Sequence, residues 1–175
     1  MVSAADIQVI TMTKKRKIVR FNAVPYDLNT AEQNKVITLA LNILTESHLP
    51  GQVLSSPKET IEYQRLRFSE YKNEVFFALF IDNRHLVLGF EELFFGAING
   101  ASVYSSVVVQ RSMEVNTAAV IFAHNHPSGV SEPSPADKVI TNGLKDALEI
   151  LDVRVLDHIV VGAVGNTSFA ETWLW

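Results

Sequence analysis

Two dense apolar runs of strand length set the terms for this chain. Residues 74–81 read EVFFALFI and residues 118–123 read AAVIFA. The second is a buried strand by its composition. The first opens a hairpin: Asp82-Asn83-Arg84 is a turn, and a second strand starts at Leu86 and extends to about Phe94. Helical patterns surround these runs. Thr30 reads as an N-cap with Gln33 as its capping-box partner, and Val36, Ile37, Leu39, Ala40, Ile43 and Leu44 follow at helical spacing. Pro50-Gly51 stops that helix near His48, and Ser56-Pro57 opens a second one. Ser134-Pro135-Ala136-Asp137 opens a third, with Ile140, Leu144, Ala147, Leu148 and Leu151 along one face. Residues 153–161 read as another strand, and 169–175 suggest a last one. The segment 102–116 is ambiguous: Val107, Val108 and Val109 favour a strand, whereas its length and the run from Gln110 to Glu114 suit a helix. Residues 1–28 show no sustained periodicity. Strands alternating with helices predict an α/β or α+β fold, a mixed β-sheet flanked by helices.

Composition narrows the chemistry. At 175 residues, 47% of them hydrophobic, the chain can bury a real core. It has no cysteine, so disulfides, thiolate nucleophiles and thiolate metal ligands are excluded, and a catalytic metal would need His, Asp or Glu. No apolar run approaches the roughly 20 residues that span a bilayer, and Met1 to Asp6 lack the pattern of a signal peptide. The expectation is a cytoplasmic protein with no membrane contact. The formal charge of -4 is uneven. Lys14, Lys15, Arg16, Lys17 and Arg20 cluster near the start, while residues 21–175 hold 10 basic and 18 acidic side chains, a net of -8. An acidic body is a poor platform for phosphate backbones. The basic run predicts weak nucleic-acid contact; a solvated tail is the plainer reading.

The informative segment is His124-Asn125-His126-Pro127-Ser128-Gly129, continuing through Ser134 to Asp137. His124 and His126 are two apart at the end of a buried strand, where alternate side chains share a face. Asp137 sits in the first turn of the next helix, and the intervening loop can fold it back toward them. Two imidazoles and a carboxylate suit zinc, and three protein ligands leave a fourth position for water. An H-x-H pair is also ordinary polarity at a strand end. Ser134 to Asp137 is a good helix start in its own right, with Ser as N-cap and Pro at the first helical position. Taken alone, these residues leave both readings open.

The complete spacing is H-x-H, seven residues, Ser, two residues, Asp, and it resembles the JAMM motif of MPN-domain metallopeptidases. HNHPSG, PSPAD and VLDHIVVG, with EVFFALFID and the segment 92–96, resemble the bacterial RadC family, also called UPF0758, from about Leu54 to the C-terminus. The resemblance implies an MPN/JAMM-like (cytidine deaminase-like) domain over 53–175, preceded by an extension over 1–52 that carries one amphipathic helix. It implies one zinc ion on His124, His126 and Asp137, and a catalytic glutamate at the head of a strand. Glu74 fits that place; Glu91 and Glu92 are its rivals. It assigns to Ser134 the stabilisation of a tetrahedral oxyanion. His158, within VLDHIVVG, reads as a packed residue or one that supports a ligand. Asn125 projects away from the two histidines, and His48 and His85 read as surface histidines.

The chain departs from the family pattern in two places. It shows no helix-hairpin-helix segment of the kind many RadC proteins carry for DNA. Ser105-Ser106 stands where Pro-Arg is typical. The first reading is therefore a zinc hydrolase acting on a peptide or protein, at peptide or isopeptide bonds. A DNA-repair-associated accessory protein or nuclease is the alternative, and a non-catalytic scaffold is the third possibility, disfavoured by the complete ligand set.

Overall fold

A computed structural model of the chain describes residues 8–11, 17–20, 28–46, 50–51, 53, 57–68, 71–96 and 103–172. It divides into two compact units, residues 1–40 and 41–175. In the first, β1 (Gln8–Thr11) and β2 (Lys17–Arg20) form an antiparallel pair with Gln8 opposite Arg20 and Thr11 opposite Lys17. Strands of four residues are too short to display a period, which is why the sequence did not announce them. Lys17 and Arg20 of the basic run lie on β2; Lys14, Lys15 and Arg16 lie outside the described residues.

Helix α1 (Thr30–Glu46) crosses the boundary between the units. Its cap is Asn29 rather than Thr30. Asn29 Oδ1 accepts from the amides of Ala31 and Glu32 at 3.0 and 3.1 Å, and Glu32 Oε2 accepts from Asn29 N at 2.9 Å. A carboxylate three residues after the cap closes this box, one position before the expected pair. Gln33 instead donates to Leu28 O. The expected end near His48 lies outside the described residues.

The second unit is built on a five-stranded sheet in the order β4-β3-β5-β6-β7. Its elements are α2 (Pro57–Phe68), β3 (Val75–Ile81), β4 (Val87–Phe95), α3 (Ser105–Glu114), β5 (Ala119–Asn125), α4 (Pro135–Glu149), β6 (Arg154–Val161), β7 (Asn166–Ser168) and α5 (Phe169–Thr172). β3 pairs antiparallel with β4 and with β5. β5 pairs in parallel with β6, which α4 makes possible by crossing over between them. The sheet is mixed and flanked by helices, as the alternating pattern predicts.

All seven residues of β3 and all seven of β5 are buried, because both faces of the sheet are covered. On one face Phe77, Leu79, Ile81, Ile121 and Ile159 pack with Phe68 of α2. On the other, Phe76, Phe80, Val120 and Phe122 pack with Val108 of α3 and with Leu144 and Leu148 of α4. Within the ambiguous segment 102–116, residues 105–114 form a helix: Val108 and Ser112, four apart, turn one face inward, and that burial outweighs the β-propensity of three consecutive valines. The strand expected over 169–175 is a correction. β7 lies earlier, and residues 169–172 form α5. Ser168 Oγ and Asp157 Oδ1 accept from the amides of Glu171 and Ala170 at 3.0 Å each, which satisfies a helix start and ends the strand. Residues 173–175 lie outside the described residues. Among the described residues, no helix is long and apolar enough to cross a membrane.

Phe77 packs at the centre of the α2 face of the sheet, with ring centroids 4.8 Å from Phe68, 5.0 Å from Phe90 and 5.9 Å from Tyr71. Phe77→Ala should destabilise the protein by about 3–5 kcal/mol in urea unfolding. A loss below about 1 kcal/mol would mean that this face of the sheet is not the core described.

Candidate metal centre

The site forms where β5 ends. The strand continues through His124 and Asn125, beyond the expected end at Ala123, and the His126 amide still donates to Val161 O of β6 at 2.9 Å. That register keeps His124 and His126 on one face and sends Asn125 to the other, as expected. Asn125 has a role that its position alone did not reveal. Its Oδ1 accepts from Val75 N at 2.7 Å and its Nδ2 donates to Asn73 O at 3.0 Å, so it straps the backbone on both sides of Glu74. The carbonyl of Glu74 accepts from Gly96 N at 2.9 Å. The head of β3 is thus tied to β5 and β4 at once.

Asp137 arrives from the opposite side on α4. Ser134 caps the helix: its Oγ accepts from Asp137 N at 3.1 Å, and Asp137 Oδ2 accepts from Ser134 N at 2.6 Å. The loop between His126 and Ser134 is fixed by close packing. Ala163 N donates to Gly129 O at 3.0 Å, and Gly129 takes a positive φ of 84° that suits glycine. A Cβ on Gly162 would lie 2.5 Å from Gly129 O and 2.8 Å from Ser131 N, so only glycine lets the two loops meet. His126 Nδ1 lies 2.7 Å from Val130 O. A carbonyl can only accept, so His126 carries its proton on Nδ1 and turns the lone pair of Nε2 inward.

These elements bring Glu74, His124, His126 and Asp137 together, with one ligand atom from each within 4.8 Å of all the others. The two Nε2 atoms are 3.0 Å apart; Asp137 Oδ1 is 3.4 Å from His124 Nε2 and Oδ2 is 3.3 Å from His126 Nε2. A tetrahedral ion at about 2.0–2.1 Å from its ligands separates them by about 3.3–3.4 Å, so the three donors fit such an ion. Glu74 Oε1 stands farther off, 3.9 Å from His124 Nε2. His124 and Asp137 are buried, whereas the side chains of His126 and Glu74 keep 15% and 14% of their exposure. The cluster is therefore open on the side of those two residues.

The electrostatics agree with a cation site. Burial pushes the Asp137 carboxyl up, but its contacts with His124 and His126, and with Ser134, hold it well below the usual carboxylate range. The same carboxylate raises the His126 pKa, against the effect of burial. His158 lies behind the cluster, its Nε2 2.8 Å from His124 Nδ1, and burial followed by the neighbouring His124 holds its pKa well below the ordinary histidine value. His158 supports a ring of the cluster and has no place among the four converging residues, as its family position suggested.

The rival glutamates are occupied elsewhere. Glu91 takes two hydrogen bonds from Arg111, at 2.6 and 2.7 Å, and Glu92 accepts from Arg67 at 2.8 Å and from Tyr71. His85 is exposed, and His48 lies outside the described residues. Ser105 and Ser106 open α3, whose cap position, Tyr104, makes no side-chain capping bond. A cavity of about 560 Å³ borders the site across Asn125 and His126, lined by Arg65, Phe68, Tyr71 and Pro127 among others. Gly162 and Thr141 are both part of this architecture; Gly162 closes the VLDHIVVG segment of the family resemblance without a role being read from it, and Thr141 carried no sequence signal beyond membership of a helix.

Gly162→Ala should force the 129–131 loop outward and cost about 1–3 kcal/mol, read by chemical unfolding of the metal-free protein. Unchanged stability would mean that the two loops are not in contact.

Comparison with known proteins gives one consistent answer. A family model described as a RadC-like JAB domain matches residues 54–174. A UPF0758 protein of Vibrio cholerae is 48% identical over 145 residues, covering 82% of this chain and 91% of the relative. A UPF0758 protein of Halorhodospira halophila is 49% identical over 145 residues, covering 83% of this chain and 65% of the relative. One from Nitrosococcus oceani is 56% identical over 124 residues, 71% of this chain and 55% of that protein. The chain thus spans nearly all of the first relative and little more than half of the last. With its mixed sheet flanked by helices and its converging histidines, this chain belongs to the RadC family and carries that family's RadC-like JAB domain.

Proposed function

We propose that this protein is a zinc-dependent hydrolase that cleaves peptide or isopeptide bonds in a peptide or protein substrate. The observation that carries the reading is the convergence of two imidazole Nε2 atoms and one ionised carboxylate, with a second carboxylate just outside their triangle. His124, His126 and Asp137 hold one zinc ion per chain. Bound zinc supplies a Lewis acid that lowers the pKa of water to about 7.

The chain's own groups do the rest. Glu74, tied at its backbone and partly open to solvent, holds the attacking water, takes its proton and delivers it to the leaving amine nitrogen. Ser134 already accepts a hydrogen bond from the helix backbone through Oγ, so its O–H remains available. It donates to the carbonyl oxygen as negative charge develops there, and the N-terminus of α4 adds partial positive charge beside it. The basic run near the N-terminus adds only weak, salt-sensitive contact with nucleic acid, given the net charge of -8 over residues 21–175.

Elemental analysis of the purified protein should find one zinc per chain, lost in both His124→Ala and Asp137→Ala. Zinc retained at full stoichiometry in both variants rules out this ligand set. Glu74→Gln keeps the size of the side chain but cannot take a proton. It should retain zinc and lose activity on the order of 10²-fold or more in an assay across peptide and isopeptide substrates. Full turnover by zinc-loaded Glu74→Gln would remove Glu74 from the mechanism.

A further inference from the structure

The two histidines of the centre are oriented by different means. His126 Nδ1 faces a backbone carbonyl, which fixes its proton without ambiguity. His124 Nδ1 faces another imidazole, Nε2 of His158, at 2.8 Å. An imidazole nitrogen can donate or accept, so this contact alone leaves the tautomer of His124 undetermined. If His158 donated to His124, the proton of His124 would sit on Nε2, between the ring and the position a cation needs.

The direction is settled one residue further back. His158 Nδ1 lies 2.6 Å from Thr141 Oγ1, and Thr141 Oγ1 lies 2.6 Å from the backbone carbonyl of Asp137. The carbonyl has no proton to give, so the single hydroxyl proton of Thr141 goes to it. Thr141 Oγ1 must then accept from His158, which places the His158 proton on Nδ1. His158 is only 1% exposed, and its two ring nitrogens face Thr141 Oγ1 and His124 Nδ1, neither of them a carboxylate oxygen. Its Nε2 is therefore an acceptor, and His124 donates to it from Nδ1. The lone pair of His124 Nε2 is left pointing at Asp137 and His126.

We propose that Thr141 and His158 are positioning residues: they form a directional hydrogen-bond chain from the Asp137 carbonyl to His124 that locks His124 in the tautomer able to bind a cation. The chain crosses three elements, running from α4 to β6 to β5. It also begins on the backbone of one cluster residue and ends on the ring of another, so the same helix that delivers the Asp137 carboxylate sets the proton of His124. Thr141 is fully buried, four residues after Asp137 on α4, which is the spacing that lets its hydroxyl reach the i-4 carbonyl. This inference rests on the zinc-site reading for its consequence, and on hydrogen-bond geometry alone for the tautomer.

The test separates the two. In full-length protein labelled with ¹⁵N-histidine and freed of metal, long-range ¹H–¹⁵N spectra report which ring nitrogen of each histidine carries the proton. Wild type should show His124 and His158 protonated on Nδ1. Thr141→Val keeps the shape but removes the oxygen that accepts from His158. It should shift His158, and with it His124, toward the Nε2-protonated form. Zinc affinity, measured by competition with a chromophoric chelator, should fall roughly 10- to 100-fold. Thr141→Ser, which returns the hydroxyl, should restore both readouts; a role in packing alone would not be rescued in the tautomer spectrum. A wild-type His124 protonated on Nε2, or a Thr141→Val variant with unchanged tautomers, overturns the proposal. If the tautomers behave as stated but wild type binds no zinc, the hydrogen-bond chain stands and the zinc-site reading falls.

Discussion

The site depends on one buried carboxylate. Asp137 is 2% exposed, and it lies among two imidazoles and a helix-cap amide that together hold its carboxyl well below the usual carboxylate range. A carboxylate in that place is costly unless something positive or strongly donating faces it. The Ser134 amide donates to it, and a cation between it and the two histidines would supply the positive charge; the convergence of those histidines requires β5 to hold its register to the last residue. The capping box of α4 and the histidine cluster are therefore one structure: Asp137 Oδ2 serves the Ser134 amide and also faces His126.

The sheet supplies the precision. β5 is hydrogen-bonded on both sides along its length, to β3 and to β6, so the positions of His124 and His126 are set by two neighbours rather than by a free loop. Asn125 uses the opposite face of the same strand to fasten the backbone around Glu74. Strand alternation thus assigns three consecutive residues to two tasks. The packing of Gly162 against Gly129 and Ser131 holds the loop whose carbonyl at Val130 orients His126. Each candidate ligand is fixed by a group that is not itself a ligand, which is the arrangement tight metal sites require.

Much of this was legible from residue order. The apolar runs marked β3 and β5, and the Ser-Pro-Ala-Asp signature marked the start of α4, because strand burial and helix capping are local in their demands. The H-x-H pair and Asp137 could be read as converging because a strand end and a helix start impose fixed side-chain directions, but those residues alone left two readings open, and it was the resemblance of the complete spacing to the JAMM motif that implied a metal site. What failed to show has a common cause. β7 is three residues long, and α5 replaces a strand because Asp157, eleven residues before Ser168, reaches back to cap it. The Thr141–His158 contact and the Gly162–Gly129 contact join residues 17 and 33 positions apart. Such pairings depend on how elements pack, and no local pattern encodes them.

Zinc-edge X-ray absorption of the stoichiometrically loaded protein tests the central claim most directly. If His124, His126 and Asp137 hold the ion, the first shell contains two imidazole nitrogens and carboxylate or water oxygen at about 2.0–2.1 Å, in a four-coordinate arrangement. An all-oxygen, six-coordinate shell, or a single imidazole, would contradict the convergence on which the account stands.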